Sequence, residues 1–501
     1  MGNKTKFFKT LSKVVKEERK ICEDIFLQLD SKRDLSINKF GEFNNLLNIF
    51  FYDILKLFTQ ILLKDYENRN KLNLKEFDHL TQYKWPYVSH NEIKQKKIIV
   101  ENKIFGKTFE SKYKIILKNL YINFLNLKNL PIKRKTIFLK GVGITKKDLK
   151  EFSDLKIKTL FLQNNKIYLE NYDLQLQKVS SYLNEIIEGN KILCSLKNLD
   201  AIITSHIDSF ISRKKIKSKR NLAGNIIICS SGIELDTRFI RDQFKKNNGK
   251  VVNIIHGGSS GVLDEPLWGD VGDNYLADYV IGYGNCYREN FEISKFQKNK
   301  NYIYMYRNPL FEKIYNQSKK VQQSNVQESN YYFPTTLRGG NFRHGPYQDI
   351  PDSIYLAWQD ELYKLFGGNL ITKMHPKEKF SFLYNNKQCK KVTEKFEDIM
   401  NDANLLVFDY FSTIFVEACA TQKSVVFFDL GIRNISKLSL EKIKKRVIYF
   451  DILNDGFPDY AEIEKRIITD KIDNDFIKSY SISKKVNITS NSIAHLVNEI
   501  I

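Results

Sequence analysis

From about residue 136 onward, runs of four to six apolar residues alternate with longer charged stretches of helical spacing. The runs are TIFLK at 136–140, TLFLQ at 159–163, DAIIT at 200–204, NIIICSS at 225–231, VVNIIHGG at 251–258, YVIGYG at 279–284 and YIYMY at 302–306. A second series follows: YYF at 331–333, LITKM at 370–374, LLVF at 405–408, SVVFF at 424–428 and VIYFD at 447–451. Short continuous apolar runs between helices predict strands buried on both faces, hence parallel sheets. Between the series, QSKKVQQSNVQESN at 317–330 has almost no apolar content and predicts a linker or exposed loop. The expected organisation is a mostly helical extension over 1–130, an α/β domain over 131–316, the linker 317–330, a second α/β domain over 331–480 and a closing helix over 481–501. Two doubly wound domains facing a cleft are the economical architecture. In such sheets, ligands bind beyond the carboxyl ends of the strands.

The stretch LLVFDYFSTIFVEACATQKSVVFFD at 405–429 predicts strand, abrupt polar turn, helix and strand. Ser412 and Thr413 fall at the start of that helix, where unpaired N–H groups and the positive end of the dipole gather. Hydroxyls there suit a phosphate, and the same Ser412 or Asp409 suits a helix cap. Glu417 lies one turn on, on the same face, where its carboxylate can accept from ribose hydroxyls. About 30 residues upstream, Lys373, His375 and Pro376 close the strand of LITKMHPKE. Two strand ends with phosphate-friendly groups predict one site for a phosphorylated, nucleotide-activated ligand; a plain strand-end turn is the alternative for His375.

In the first series, His256, Gly257 and Gly258 close a strand and Ser259 follows. The glycines permit close backbone approach, and His256 stands where a general base is useful; a glycine turn with a structural histidine is the alternative. Asp264, Glu265, Asp270 and Asp273 supply loop carboxylates, one of which can replace His256 as base. Thr335, Thr336, Arg338, Gly339, Gly340, Arg343 and His344 open the second domain with a polar, basic loop suited to gripping a diphosphate, or simply to standing in solvent. Asp473-Asn474-Asp475 reads as helix capping rather than metal binding. There is no GxxxxGK[ST] and no GxSxG, which argues against a P-loop NTPase and an α/β-hydrolase. No metal-ligand cluster stands out.

Composition adds less. The chain has 501 residues, enough for more than one core. Its net charge of +22 favours anionic partners, but a solvated basic surface accounts for it equally well. The six cysteines lack metal spacing, and several sit in apolar runs, as expected of thiols in a reducing, cytoplasmic compartment. MGNKTKFFK is polar and basic, unlike a secretory signal. FNNLLNIFFYDILKLFTQILL at 43–63 carries Asp53 and Lys56 near its centre, so a buried core helix is expected, with an interfacial helix as the alternative.

The ordered set of HG at 256–257, HP at 375–376 and D-x-x-S-T-x-x-x-E at 409–417 resembles the GT-B glycosyltransferase-like enzymes of bacterial surface polysaccharide synthesis. These include the CDP-glycerol glycerophosphotransferases, the capsular Kdo transferases and the HP-motif sialyltransferases. IIHGGSSG and RNPLFEKI are also similar to surface-carbohydrate transferases with HGGGYG and GNP turns; here SSG replaces GYG, and Arg307 replaces the glycine. The resemblance spans about 225–430. It implies a GT-B fold, a CMP- or CDP-activated donor as substrate, no cofactor and no metal. His375 and Ser412-Thr413 would bind the donor phosphate, and His256 would be the base. The implied acceptor is a glycan, lipid-linked or protein-bound, with peripheral contact at the inner membrane and no nucleic acid partner. A non-catalytic nucleotide-sugar or glycan-binding protein and a UDP-GlcNAc epimerase-like enzyme are the other classes this fold admits.

Overall fold

The computed structural model describes residues 136–140, 146–162, 172–194, 225–230, 235–255, 262–264, 274, 276–283, 301–305, 309–318, 329–337, 352–376, 378, 390–481 and 493–500, with Ile207 and isolated positions between 13 and 62. Six strands form the first sheet: β1 (Thr136–Lys140), β2 (Lys158–Phe161), β3 (Ile226–Cys229), β4 (Lys250–Ile254), β5 (Tyr279–Tyr283) and β6 (Asn301–Met305). Six more form the second: β7 (Ser329–Phe333), β8 (Leu370–Lys373), β9 (Lys390–Val392), β10 (Ala403–Phe408), β11 (Ser424–Asp429) and β12 (Ile448–Asp451). Every strand pair in both sheets is parallel. The expected pair of doubly wound α/β domains is therefore present. Of the predicted strands, only DAIIT at 200–204 lies outside the described residues.

Why these runs make parallel sheets is visible in their burial. Ile226, Ile228, Val252 and Ile254 enter one apolar cluster, while Ile227, Cys229 and Val251 enter another. Successive side chains point to opposite faces, so a strand covered on both sides needs an unbroken apolar run. The second sheet repeats this, with Leu405, Val407, Val426 and Phe428 in one cluster and Leu406, Phe408, Val425 and Phe427 in the other. Strand β9 was not predicted. It is an edge strand of three residues, and exposed Lys390 and Lys391 give it no apolar signature.

Packing ties each sheet to distant sequence. The helix Ile493–Ile500 adds Ala494, Leu496 and Val497 to a cluster of the first sheet. The helix Pro309–Ser318 adds Phe311, Ile314 and Tyr315 to a cluster of the second. In the N-terminal region, Ile54, Phe58 and Leu62 are buried at helical spacing, in line with the core-helix reading of 43–63. Among the described residues, no helix is long and apolar enough to cross a membrane. Cys229 and Cys419 are buried free thiols, and Cys194 is exposed.

Candidate functional site

The second sheet runs β12-β11-β10-β7-β8-β9. The chain winds outward from β7 through β8 to β9, then returns to β10 and winds the other way. The reversal falls between β7 and β10, and the crevice beyond their carboxyl ends is where such sheets bind ligands. Three segments singled out in the sequence lie side by side along this edge: 409–413 after β10, 334–337 after β7 and 374–376 after β8. Residues 75 apart in sequence become neighbours because their strands pair.

Asp409 holds two of these segments together. It is 2% exposed, and its carboxylate accepts from Tyr332 Oη, from Tyr355 Oη (3.0 Å) and from Trp358 Nε1 (2.9 Å). Tyr355 Oη in turn accepts from the Thr335 amide (3.0 Å), which fixes the start of the loop after β7. Burial pushes the Asp409 carboxyl up to about 6, against the downward pull of the donors from Tyr332, Trp358 and Tyr355. Its side chain thus faces the core as an anchor beneath the crevice, while the turn it begins leads to Ser412. The three aromatic donors carried no motif. Tyr332 lies in the predicted strand YYF, and the trace of the other two is a helical stripe, Tyr355, Trp358, Gln359, Leu362 and Tyr363, in the helix Asp352–Leu365. Such a stripe with N–H and O–H groups on its buried face demands an acceptor nearby.

The helix after the turn is Thr413–Cys419. Ser412 is its N-cap, with extended backbone and Oγ accepting from the Phe415 amide (3.4 Å), so the capping role is present. Ser412 and Thr413 are half-buried at the crevice. Arg446, 3% exposed, clamps the far end of this helix by donating to the carbonyls of Cys419 (2.9 Å), Ala418 (3.3 Å), Thr421 (2.8 Å) and Lys423 (3.1 Å). A cation at a helix C-terminus also complements the dipole. Glu417 is buried in the same helix without a hydrogen-bond partner for its carboxylate among the described residues. Burial, then the charge of Glu397, raises it to about 7.

Lys373 is buried, and its ammonium donates to the Met374 carbonyl (2.9 Å). Burial lowers its pKa, with Glu394 opposing. His375 is partly buried at the end of β8, and Pro376 is exposed as the chain leaves the sheet. The loop after β8 is tied to the loop after β7 by the Leu337 amide, which donates to Glu378 Oε2 (2.9 Å). Arg338 lies outside the described residues.

Beyond β11, Gly431 takes a positive φ of 67°, a backbone open to glycine at little cost, and its amide donates to Asp429 Oδ1 (2.8 Å). That turn directs Arg433 over Tyr410, where Nη1 donates to the tyrosine hydroxyl (2.7 Å). It also presents 434–436 to the first domain's loop after β4. The Asp264 amide donates to the Asn434 carbonyl (2.7 Å), Asn434 Nδ2 to the Asp264 carbonyl (3.0 Å), and the Ser436 amide to the Val262 carbonyl (3.0 Å). Val262 is buried in a core cluster of the second sheet, and Leu263 bridges Ile435. The segment that follows the HGG turn is therefore docked on the second domain, with exposed Asp264 beside the turn after β11. His256, Gly257, Gly258, Ser259 and Glu265 lie outside the described residues. Asp473 Oδ1 accepts from the Asp475 amide (2.7 Å), the capping role expected of that acidic pair. No three His, Cys, Asp or Glu side chains among the described residues gather as a metal site.

No protein-family description matches this chain, and no curated protein does. Solved structures give remote likenesses. UGT89C1 of Arabidopsis thaliana in complex with UDP is 10% identical with a TM-score of 0.34, over 77% of this chain and 97% of that one. The wall teichoic acid polymerase TagF is 12% identical with a TM-score of 0.33, over 79% and 95%. The UDP-GlcNAc 2-epimerase of Methanocaldococcus jannaschii is 12% identical with a TM-score of 0.31, over 73% and 99%. Scores this low carry no argument about activity.

Proposed function

We propose that this chain is a GT-B-type transferase that takes a sugar from a cytidine nucleotide, with a CMP-activated nonulosonic acid or Kdo as the leading donor, and attaches it to a glycan, lipid-linked or protein acceptor. The observation that carries the reading is the convergence of 334–337, 374–376 and 409–413 at the strand reversal of the second sheet. His375 and the hydroxyls of Ser412, Thr413 and Thr335, with Arg338, are the groups proposed to hold the donor phosphate. Glu417 is proposed for the ribose hydroxyls. In the reaction the acceptor oxygen bonds to the anomeric carbon, the bond from that carbon to the phosphate oxygen breaks, and CMP leaves with the electron pair. The acceptor proton goes to His256, or to Asp264 or Glu265. A CDP-polyol phosphotransferase would use the same phosphate groups, with attack at phosphorus instead of carbon.

The deciding experiment is calorimetry of CMP, CDP, UDP and GDP on the full chain, followed by His375→Ala and the Ser412→Ala, Thr413→Ala pair. Cytidine nucleotides are expected to bind best. Each variant is expected to lose about 1.5–3 kcal/mol per hydrogen bond to a charged phosphate. Tighter UDP or GDP binding, or unchanged CMP affinity in folded variants, would overturn the reading. Release of free CMP from a CMP-sugar separates a transferase from a binding protein.

A further inference from the structure

At the opposite edge of the second sheet, by the amino ends of β11 and β12, a cavity of about 480 Å³ opens between the last turns of the helices Lys437–Arg446 and Tyr460–Thr469. Its walls carry Lys444, Lys445, Arg446, Arg466 and Lys471 against only Asp470 and Asp473. Both carboxylates are engaged. Asp470 accepts from Arg466 Nε (2.9 Å), and Asp473 caps the next helix. Lys444, Lys445 and Lys471 are exposed and pair with no carboxylate among the described residues; Lys444 rests over the Tyr449 ring.

A second observation comes from Arg446. Its Nε and Nη2 serve the end of the 413–419 helix, but its Nη1 is buried with no hydrogen-bond partner. A buried cationic donor without an acceptor is costly to leave unmade. An anion seated in the cavity would reduce that cost through its charge, and the three lysines would neutralise it. Ile468, which neighbours the wall residues Ile467 and Thr469 in the last turn of its helix, is an exposed apolar side chain at 85%.

We propose that this cleft binds a phosphate-bearing anion, at a site separate from the crevice at the carboxyl edge. A free phosphate ester or pyrophosphate and the headgroup of an anionic lipid share the required chemistry: compact negative charge that accepts several hydrogen bonds. The exposed Ile468 nearby suits the lipid source, and a half-open pocket of this volume suits the free one.

The test uses the full chain with two probes: sodium pyrophosphate by calorimetry, and vesicles of phosphatidylcholine with one quarter phosphatidylglycerol by co-sedimentation. Phosphatidylcholine vesicles are the control. Lys444→Gln, Lys445→Gln and Lys471→Gln together are expected to weaken binding on the order of a hundredfold, from roughly fivefold per lysine near an anionic surface. The corresponding triple change to arginine is expected to retain it. Binding of pyrophosphate that Ile468→Ser leaves intact identifies a free phosphate ligand. Binding to the anionic vesicles alone, reduced by Ile468→Ser, identifies a lipid headgroup. If neither probe binds, or if the glutamine triple binds like the parent, the cleft is not an anion site. The three lysines are solvent-facing, so these variants are expected to fold, and an unchanged thermal midpoint checks this. Nucleotide binding at the carboxyl edge is expected to persist in all of them.

Discussion

Replacing Asp409 by asparagine tests how the crevice is held. The best asparagine rotamer puts its oxygen where Oδ2 stands, keeping Trp358 and Tyr332 as donors. The new amide nitrogen then meets Tyr355 Oη, which must turn from donor to acceptor while it already accepts from Thr335. One poorly made buried hydrogen bond costs about 1–2 kcal/mol. The parent carries an opposing penalty. Its Asp409 titrates at about 6 when folded and at 3.8 as an ordinary aspartate, so folding takes up a proton between these values. The stability from this group is complete below the lower value and is lost as pH rises through the upper one. Two pKa units correspond to about 3 kcal/mol, most of it lost between about pH 4 and pH 7. The variant should therefore be the less stable protein near pH 4 and match or exceed the parent at pH 8, the gap moving by about 2 kcal/mol. Urea unfolding across that range reads it directly. A gap that stays constant would show that Asp409 does not titrate in this window and that burial does not outweigh its three donors. At every pH, the variant should also bind donor more weakly, because Tyr355 no longer holds the Thr335 amide as firmly.

Arg446→Ala should destabilise the fold by about 3–5 kcal/mol, since it removes a charged donor from four carbonyls at a buried helix end, of which Ala418 still accepts from Thr421; a loss under about 1 kcal/mol in urea would refute the clamp. Glu417→Gln should raise the thermal midpoint at pH 8 while weakening nucleotide binding, because a carboxyl raised to about 7 withdraws up to about 3 kcal/mol of stability as pH climbs from 4.5. An unchanged midpoint at pH 8 would show that the carboxylate is adequately solvated. Asn434→Ala should loosen the contact between 434–436 and 262–264, exchanging the Asp264 amide several-fold faster for the loss of one hydrogen bond of about 1 kcal/mol; exchange at the parent rate would mean the remaining bonds suffice.

By itself the sequence determined which segments become strands, because a strand covered on both faces must be apolar at every position, and IIIC or LLVF can satisfy that in few other ways. It also narrowed the helix cap to Asp409 or Ser412, since capping is confined to a few successive residues, and the structure gives the role to Ser412. Edge strand β9 escaped, since exposure removes the apolar signature on which such reading relies. Only the tertiary structure decided what lies beside what. Strand order brings 334–337 between 374–376 and 409–413, and no local pattern encodes that order. Burial likewise turned Lys373 toward its own chain and made Asp409 an anchor rather than an exposed carboxylate, because desolvation depends on neighbours supplied by distant segments. The docking of 262–264 on 434–436 and the reach of Arg446 to the 413–419 helix have the same origin. Both end on backbone carbonyls, which every residue carries, so the letters of the sequence do not reveal the partners.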